Sequence, residues 1–192
     1  MAKHYGLIVD QERCIGCEAC TVACRLENQG NGPHIRVETV SAEIKDKPAG
    51  IFPDLTLHFL PRLCQHCANP PCMEVCPVEA LSKRPDGPIV LIEDECTGCR
   101  ACLDACPYKA ISFNNETQKA SKCDLCINRL DQGLEPFCVT CCEGQALHFG
   151  DINDPKSGMA RVIAEPAVFQ LNPQAGTRPS LYYRPPRKPR PL

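Results

Sequence analysis

Sixteen of the 17 cysteines in this 192-residue chain fall into four sets of four. They are Cys14, Cys17, Cys20 and Cys24; Cys64, Cys67, Cys72 and Cys76; Cys96, Cys99, Cys102 and Cys106; and Cys123, Cys126, Cys138 and Cys142. The third set reads C-T-G-C-R-A-C-L-D-A-C-P, a C-x2-C-x2-C-x3-C-P spacing. Three thiolates so spaced wrap one iron–sulfur cubane, and the fourth reaches a second cluster. Tetrahedral zinc takes its four ligands as two pairs and has no use for a triplet followed by a fourth thiolate. A secreted disulfide framework is opposed by the odd total, by triplets at every third residue, and by a start, Met1-Ala2-Lys3-His4-Tyr5-Gly6, that carries no secretory signal. No position of the four sets is Trp, Asp or His, so neither a three-iron nor a Rieske centre is expected. Four [4Fe–4S] clusters are expected, in a protein that conducts electrons.

Composition narrows the alternatives. With no Trp and 5% aromatic residues the apolar core must be thin, so the clusters have to supply much of the cohesion. The formal charge of −2 omits them. Each oxidised cubane with its four thiolates adds about −2, which brings the loaded protein to about −10 and argues against nucleic-acid binding. The longest apolar stretches, such as Pro88-Ile89-Val90-Leu91-Ile92, are strand-sized and far short of the roughly 20 residues that cross a bilayer, so the chain is expected to be soluble by itself. No Ser/His/Asp set, acid/base carboxylate pair or phosphate-binding glycine loop is present, and no catalytic residue is assigned.

The elements that must position these thiolates repeat with them. After the last cysteine of sets two, three and four comes Ala, an aliphatic and a polar residue: Ala80-Leu81-Ser82, Ala110-Ile111-Ser112 and Ala146-Leu147-His148. Each of these tails should begin a short strand. Further strands are predicted at Gly6–Val9, at Leu55–Phe59 and, after the Pro85-Asp86-Gly87 turn, at Ile89–Ile92, with a helical turn after each cysteine triplet. The tail keeps register only from Cys142, and the other sets place three residues between their last two cysteines. Cys142 is therefore the ligand and Cys141 a packed free thiol.

In a two-cluster ferredoxin the fourth cysteine of each run ligates the other cluster. Sets two and three are joined by only 19 residues and both end in Cys-Pro, so they pair, leaving sets one and four to pair across the chain. The expected ligands are Cys14, Cys17, Cys20 and Cys142 for cluster 1; Cys64, Cys67, Cys72 and Cys106 for cluster 2; Cys96, Cys99, Cys102 and Cys76 for cluster 3; and Cys123, Cys126, Cys138 and Cys24 for cluster 4. The fold class is α+β, two nested ferredoxin-like modules with an inserted hairpin and an extended C-terminal tail. Residues 1–24 with 107–150 form the outer module, 64–106 the inner one, 25–63 the insertion and 151–192 a proline-rich docking tail. From Pro166 that tail holds seven prolines, five basic residues and no acid. It should form neither helix nor inner strand, and it should lie along another subunit through Leu181-Tyr182-Tyr183. Arg25, Arg100 and Lys122 adjoin ligands, where they either raise a cluster's potential or are ordinary surface charges. His66, between Cys64 and Cys67, packs beside the ligands or at the surface and is not needed as one.

The chain resembles the four-cluster iron–sulfur subunits of the dimethyl sulfoxide reductase family. The resemblance covers almost all of it: C-I-G-C-E-A-C-T-V-A-C from Cys14, C-Q-H-C-A-N-P-P-C-M-E-V-C-P from Cys64, and K-C-D-L-C-I-N-R-L-D-Q-G-L-E-P-F-C-V from Lys122. The last is the most specific, since simple ferredoxins lack its eleven-residue spacer. The ending Leu171-Asn172-Pro173 through Tyr182-Tyr183 is similar to the polysulfide, thiosulfate and arsenate reductase branches, and Glu143 stands where such subunits commonly carry Pro. The resemblance implies the same inner and outer pairing, a large catalytic subunit with a molybdenum or tungsten bis-pterin, and in many cases a membrane subunit that exchanges electrons with quinol. Cluster assembly needs reduced thiols, so the chain is expected either to stay in the cytoplasm or to be exported, already folded, to the periplasmic face with a twin-arginine partner, and the polysulfide-reductase-like features favour the second. A membrane-spanning tail of the formate dehydrogenase kind is not expected. The rival function is a free polyferredoxin that shuttles electrons between enzymes.

Overall fold

The computed structural model describes residues 3–29, 31–40 and 44–187. Gly30 of the insertion and the end of the proline-rich tail from Lys188 lie outside the described residues. In chain order the strands are β1 (Tyr5–Asp10), β2 (Arg36–Val40), β3 (His58–Arg62), β4 (Leu81–Lys83), β5 (Ile89–Leu91), β6 (Ile111–Asn114), β7 (Lys119–Lys122), β8 (Leu147–Asp151) and β9 (Leu181–Arg184). The helices are α1 (Ala19–Glu27), α2 (Pro71–Glu74), α3 (Ala101–Ala105), α4 (Ile127–Leu130), α5 (Phe137–Thr140) and α6 (Gly158–Ile163).

Most of these helices are one turn long, too short to persist in water by themselves. Each of α1, α2, α3 and α5 carries the third cysteine of its set, so tertiary packing, not propensity, must hold it. Proline helps where it can, with Pro71 opening α2 and Pro136 capping α5 at positions that need no amide hydrogen. The three Ala-aliphatic tails open β4, β6 and β8, each at its aliphatic residue. One residue before each tail the backbone turns left-handed, at Glu79 (φ 52°), Lys109 (φ 50°) and Gln145 (φ 47°). The repeat read from side chains is thus also a repeat of backbone conformation.

The strands form a three-stranded sheet of order β8-β1-β9 and three two-stranded sheets, β2-β3, β4-β5 and β6-β7. β1 runs antiparallel to β8, from Tyr5↔Asp151 to Val9↔Leu147. The segment between sets one and two contains β2 and β3, paired antiparallel from Arg36↔Arg62 to Val40↔His58. The strand expected at 55–59 begins later, at His58, because the chain first closes a small loop through the bridge Ala49↔Thr56. α1 packs on α5 and α2 on α3. Buried apolar residues form two clusters: Leu7, Val9, Leu63, Leu125 and Tyr183 gather with Cys20, Cys24 and Cys138, while Leu81, Ile89, Ile111 and Ala120 gather with Cys72 and Cys102.

Two boundaries differ from expectation. Ile111 of β6 and Ala120 of β7 pack with the inner cysteines, so the outer module does not resume at 107. The strand that follows Cys106 has to stay beside its own cysteine set, as β4 does beside Cys76. The C-terminal segment also contradicts its expected course: α6 forms with the Ser157 hydroxyl as its cap, accepting from the Ala160 N–H at 3.1 Å, and β9 joins β1 in parallel, Leu7↔Leu181 to Asp10↔Arg184. Leu181 and Tyr183, expected to anchor on another subunit, are wholly buried in this chain's own core. Prolines at 179, 185 and 186 leave the five residues from Ser180 to Arg184 with their amide hydrogens, enough for an edge strand.

Candidate iron–sulfur sites

Cys14, Cys17, Cys20 and Cys142 line one small cavity, closed by Val37, Pro61 and Leu147. Cys24, Cys123, Cys126 and Cys138 line a second, closed by Ile35, Leu63 and Leu125. Cys64, Cys67 and Cys72 each feel the charge of Cys106, and Cys102 feels Cys96, Cys99 and Cys76. Each group brings together three cysteines of one run and the fourth of its partner run. Cys141 is half-buried beside Cys142 and lines neither cavity.

Burial pushes these thiols up: Cys20 and Cys72 to about 12, Cys67 and Cys126 to about 11, with the neighbouring cysteines adding to the effect. Cys64 and Cys123 move in the same direction, again chiefly through burial. Such groups resist ionising singly and need a cation to compensate four negative charges. Backbone amides are already aimed at the sulfurs. The Ala146 N–H donates to Cys142 Sγ at 3.1 Å, and the Ala110 N–H donates to its counterpart Cys106 Sγ at 3.5 Å. The His34 N–H donates to Cys24 Sγ at 3.3 Å and the Leu125 N–H to Cys123 Sγ at 3.4 Å.

The loops that wrap the sites share one device. Two residues after the first cysteine of every set the backbone is left-handed, at Gly16 (φ 71°), His66 (φ 43°), Gly98 (φ 71°) and Leu125 (φ 63°). Successive amides in such turns face one concavity, a nest for an anionic group. At Gly98 the residue type is forced as well, since a Cβ there would collide with the Gln118 carbonyl. Among the described residues no three His, Cys, Asp or Glu side chains converge on a single metal ion. Convergence of that kind is what tetrahedral zinc requires. A cubane instead spreads its four thiolates over four irons, so the donor set, its spread and its apolar closure fit the cluster.

The sites differ in exposure. Cys17 and Cys99 are exposed, whereas Cys64 is buried and Cys123 half-buried, and Cys64 adds to the burial that raises the Cys123 thiol. His66 is wholly buried, not at the surface, and its Nδ1 accepts the Ile89 N–H at 3.0 Å. Sequence reasoning missed the C-terminal strap. The Ser180 hydroxyl donates to the His66 carbonyl at 2.8 Å, the Ala68 and Asn69 N–H groups donate to the carbonyls of Arg178 and Thr177, and the Thr177 hydroxyl lies on Cys67. No local pattern marks contacts that span more than a hundred residues.

The 4Fe-4S dicluster domain family matches the chain twice, over residues 13–80 and 55–152. A tetrathionate reductase subunit of Salmonella typhimurium is 42% identical over 182 residues, covering 94% of this protein and 72% of its own length. A component of the polysulfide reductase of Wolinella succinogenes is 39% identical over 186 residues, covering 96% of each. The arsenate respiratory reductase iron–sulfur subunit of a Shewanella strain is 32% identical over 227 residues, covering 93% and 94%. Fold, cysteine sites and these matches define an iron–sulfur protein with four [4Fe–4S] clusters. Within that class it belongs to the four-cluster electron-transfer subunits of the dimethyl sulfoxide reductase family.

Proposed function

We propose that this chain, without catalysis of its own, relays single electrons between a quinol or other redox partner and a molybdenum or tungsten bis-pterin catalytic subunit. Its clusters are held by Cys14, Cys17, Cys20 and Cys142; by Cys24, Cys123, Cys126 and Cys138; by Cys64, Cys67, Cys72 and Cys106; and by Cys76, Cys96, Cys99 and Cys102. A cubane bound at each set takes up and gives off one electron. The sets follow one another in that order. Cys138 feels Cys20, Cys123 feels Cys64, and the last two sets share a core. One observation carries the reading: the end sets each have an exposed cysteine, Cys17 and Cys99, while no cysteine of the middle sets is exposed and Cys64 faces Cys123 between them. Electrons can then enter at one surface and leave at another without crossing solvent.

The protein's residues keep the path dry and the sulfurs hydrogen-bonded. Leu63, Leu125, Val37 and Leu147 exclude water, and the amides of Leu125, His34, Ala110 and Ala146 stabilise thiolate charge. The proline-rich tail no longer argues for a dock, since it folds onto its own chain as far as Arg184. The segment between β2 and β3 does. Ile51 and Phe52 are 85% and 83% exposed, and Ile44, Leu55 and Leu57 add to the apolar surface. The relatives are named as parts of reductases, and this chain takes the matching place in its own complex.

Anaerobic size-exclusion chromatography from the native source tests this. The expected result is brown protein with about sixteen irons per chain co-eluting with a large metallopterin partner. Elution of the chain alone near 21.1 kDa would favour a free polyferredoxin and sink the subunit assignment.

A further inference from the structure

Arg25, Arg100 and Lys122 each adjoin a ligand in sequence, but the fold gives them different surroundings. Arg25 and Arg100 are exposed, the latter lying over the Phe113 ring at 3.8 Å. Lys122 is buried, with 6% of its surface exposed. Its ammonium donates to the Cys123 carbonyl at 2.7 Å and to the Ile89 carbonyl. The N–H of that same Ile89 donates to Nδ1 of His66, between Cys64 and Cys67. A single residue of β5 thus fixes Lys122 against the loop that carries set two. The partners of Lys122 are carbonyl dipoles, and among the described residues it forms no ion pair.

We propose that Lys122 is a potential-setting residue, whose buried positive charge stabilises the reduced state of the cluster held by Cys64, Cys67, Cys72 and Cys106. Reduction adds one negative charge to that site, and a fixed cation nearby lowers its energy. Burial keeps solvent ions from screening the effect. Lys122 also favours the thiolate forms of Cys64 and Cys72, against the larger effect of burial. Asp124, on the other side of Cys123, acts in the opposite sense. Its carboxylate accepts the Cys126 N–H at 2.7 Å, and its charge disfavours the thiolates of Cys64, Cys123 and Cys126. Fixed charges of opposite sign thus stand one residue either side of Cys123, and Lys83, whose ammonium donates to the Cys67 carbonyl at 2.9 Å, adds a second cation on the far side of set two.

This inference rests on the ligand sets proposed above, and potentiometric titration of the cluster-loaded complex, followed by electron paramagnetic resonance, separates the two. Cys67→Ala and Cys17→Ala first identify which signals belong to the two sets; if neither variant alters a signal, the ligand sets fail whatever Lys122 does. Lys122→Gln is then expected to weaken reduction of the Cys67-dependent cluster at least tenfold, 59 mV for a one-electron couple. The Cys17-dependent signal should stay in place, and Lys122→Arg should restore the potential. An unmoved Cys67-dependent signal in fully loaded Lys122→Gln overturns the inference, as does an equal shift in Lys122→Arg. Should both variants lose iron, Asp124→Asn decides: it keeps the side-chain acceptor and must raise the same potential, and no shift overturns the inference.

Discussion

The Gln65 side-chain amide donates to the Tyr183 hydroxyl at 3.1 Å across 118 positions of sequence. It joins the loop of set two to β9, the edge strand of the three-stranded sheet. The same hydroxyl donates to the Pro61 carbonyl at 3.4 Å, and the Tyr183 ring is wholly buried. The strap from Thr177 to Arg184 thus clasps the loop of set two to the three-stranded sheet, and its loss should be felt at the cysteine sites it covers.

Replacing Tyr183 by Ala should cost about 3–5 kcal/mol, the range for emptying a buried aromatic site. Tyr183→Phe removes only the hydrogen bonds and should cost about 1 kcal/mol. Anaerobic urea unfolding of the loaded protein, followed by its visible absorption, separates the two. Equal midpoints for both variants would refute the clasp.

Cys142 and Cys141 are neighbours with different surroundings. Cys142→Ala should lower the iron content by about a quarter, one cluster in four, whereas Cys141→Ala should keep the full complement. Iron analysis of anaerobically purified variants reads this directly, and the reverse pattern would exchange the ligand for the spare.

Gly98 has a left-handed backbone and no room for a Cβ. Gly98→Ala should cost roughly 1–3 kcal/mol in backbone strain, before any displacement of the Gln118 carbonyl is counted. The damage should fall on the cluster of Cys96, Cys99, Cys102 and Cys76. Gly133 also has a positive φ, 74°, but nothing lies within 4 Å of a Cβ there. Gly133→Ala should therefore leave iron content unchanged.

Thiol burial sets a pH dependence. In the cluster-free protein Cys20 and Cys72 lie near 12 and Cys67 and Cys126 near 11, all raised from 9.0. The folded chain's preference for neutral thiols is fully present below about pH 9 and is lost as pH climbs through about 11–12. Ligation requires thiolates, so cluster loss takes up protons and loading releases them. Iron transfer to a chelator under anaerobic conditions should therefore slow severalfold per unit between pH 6 and pH 8. A rate independent of pH would show that proton uptake plays no part in cluster loss.

Spacing and the repeated tail carried the cluster type and the strands at Leu81, Ile111 and Leu147, because a cubane demands thiolates at short fixed intervals and the chain must then leave each site the same way. The repeat also singled out Cys142 over Cys141. What the sequence could not decide was where distant segments go. Seven prolines made the tail look like an arm for a partner, yet four residues between them complete this chain's own sheet, since burying Leu181 and Tyr183 is favourable wherever a matching apolar edge exists. Arg25, Arg100 and Lys122 are alike in sequence, each beside a ligand. Only the tertiary structure leaves two in solvent and buries the third, because burial depends on what the rest of the molecule packs against that position.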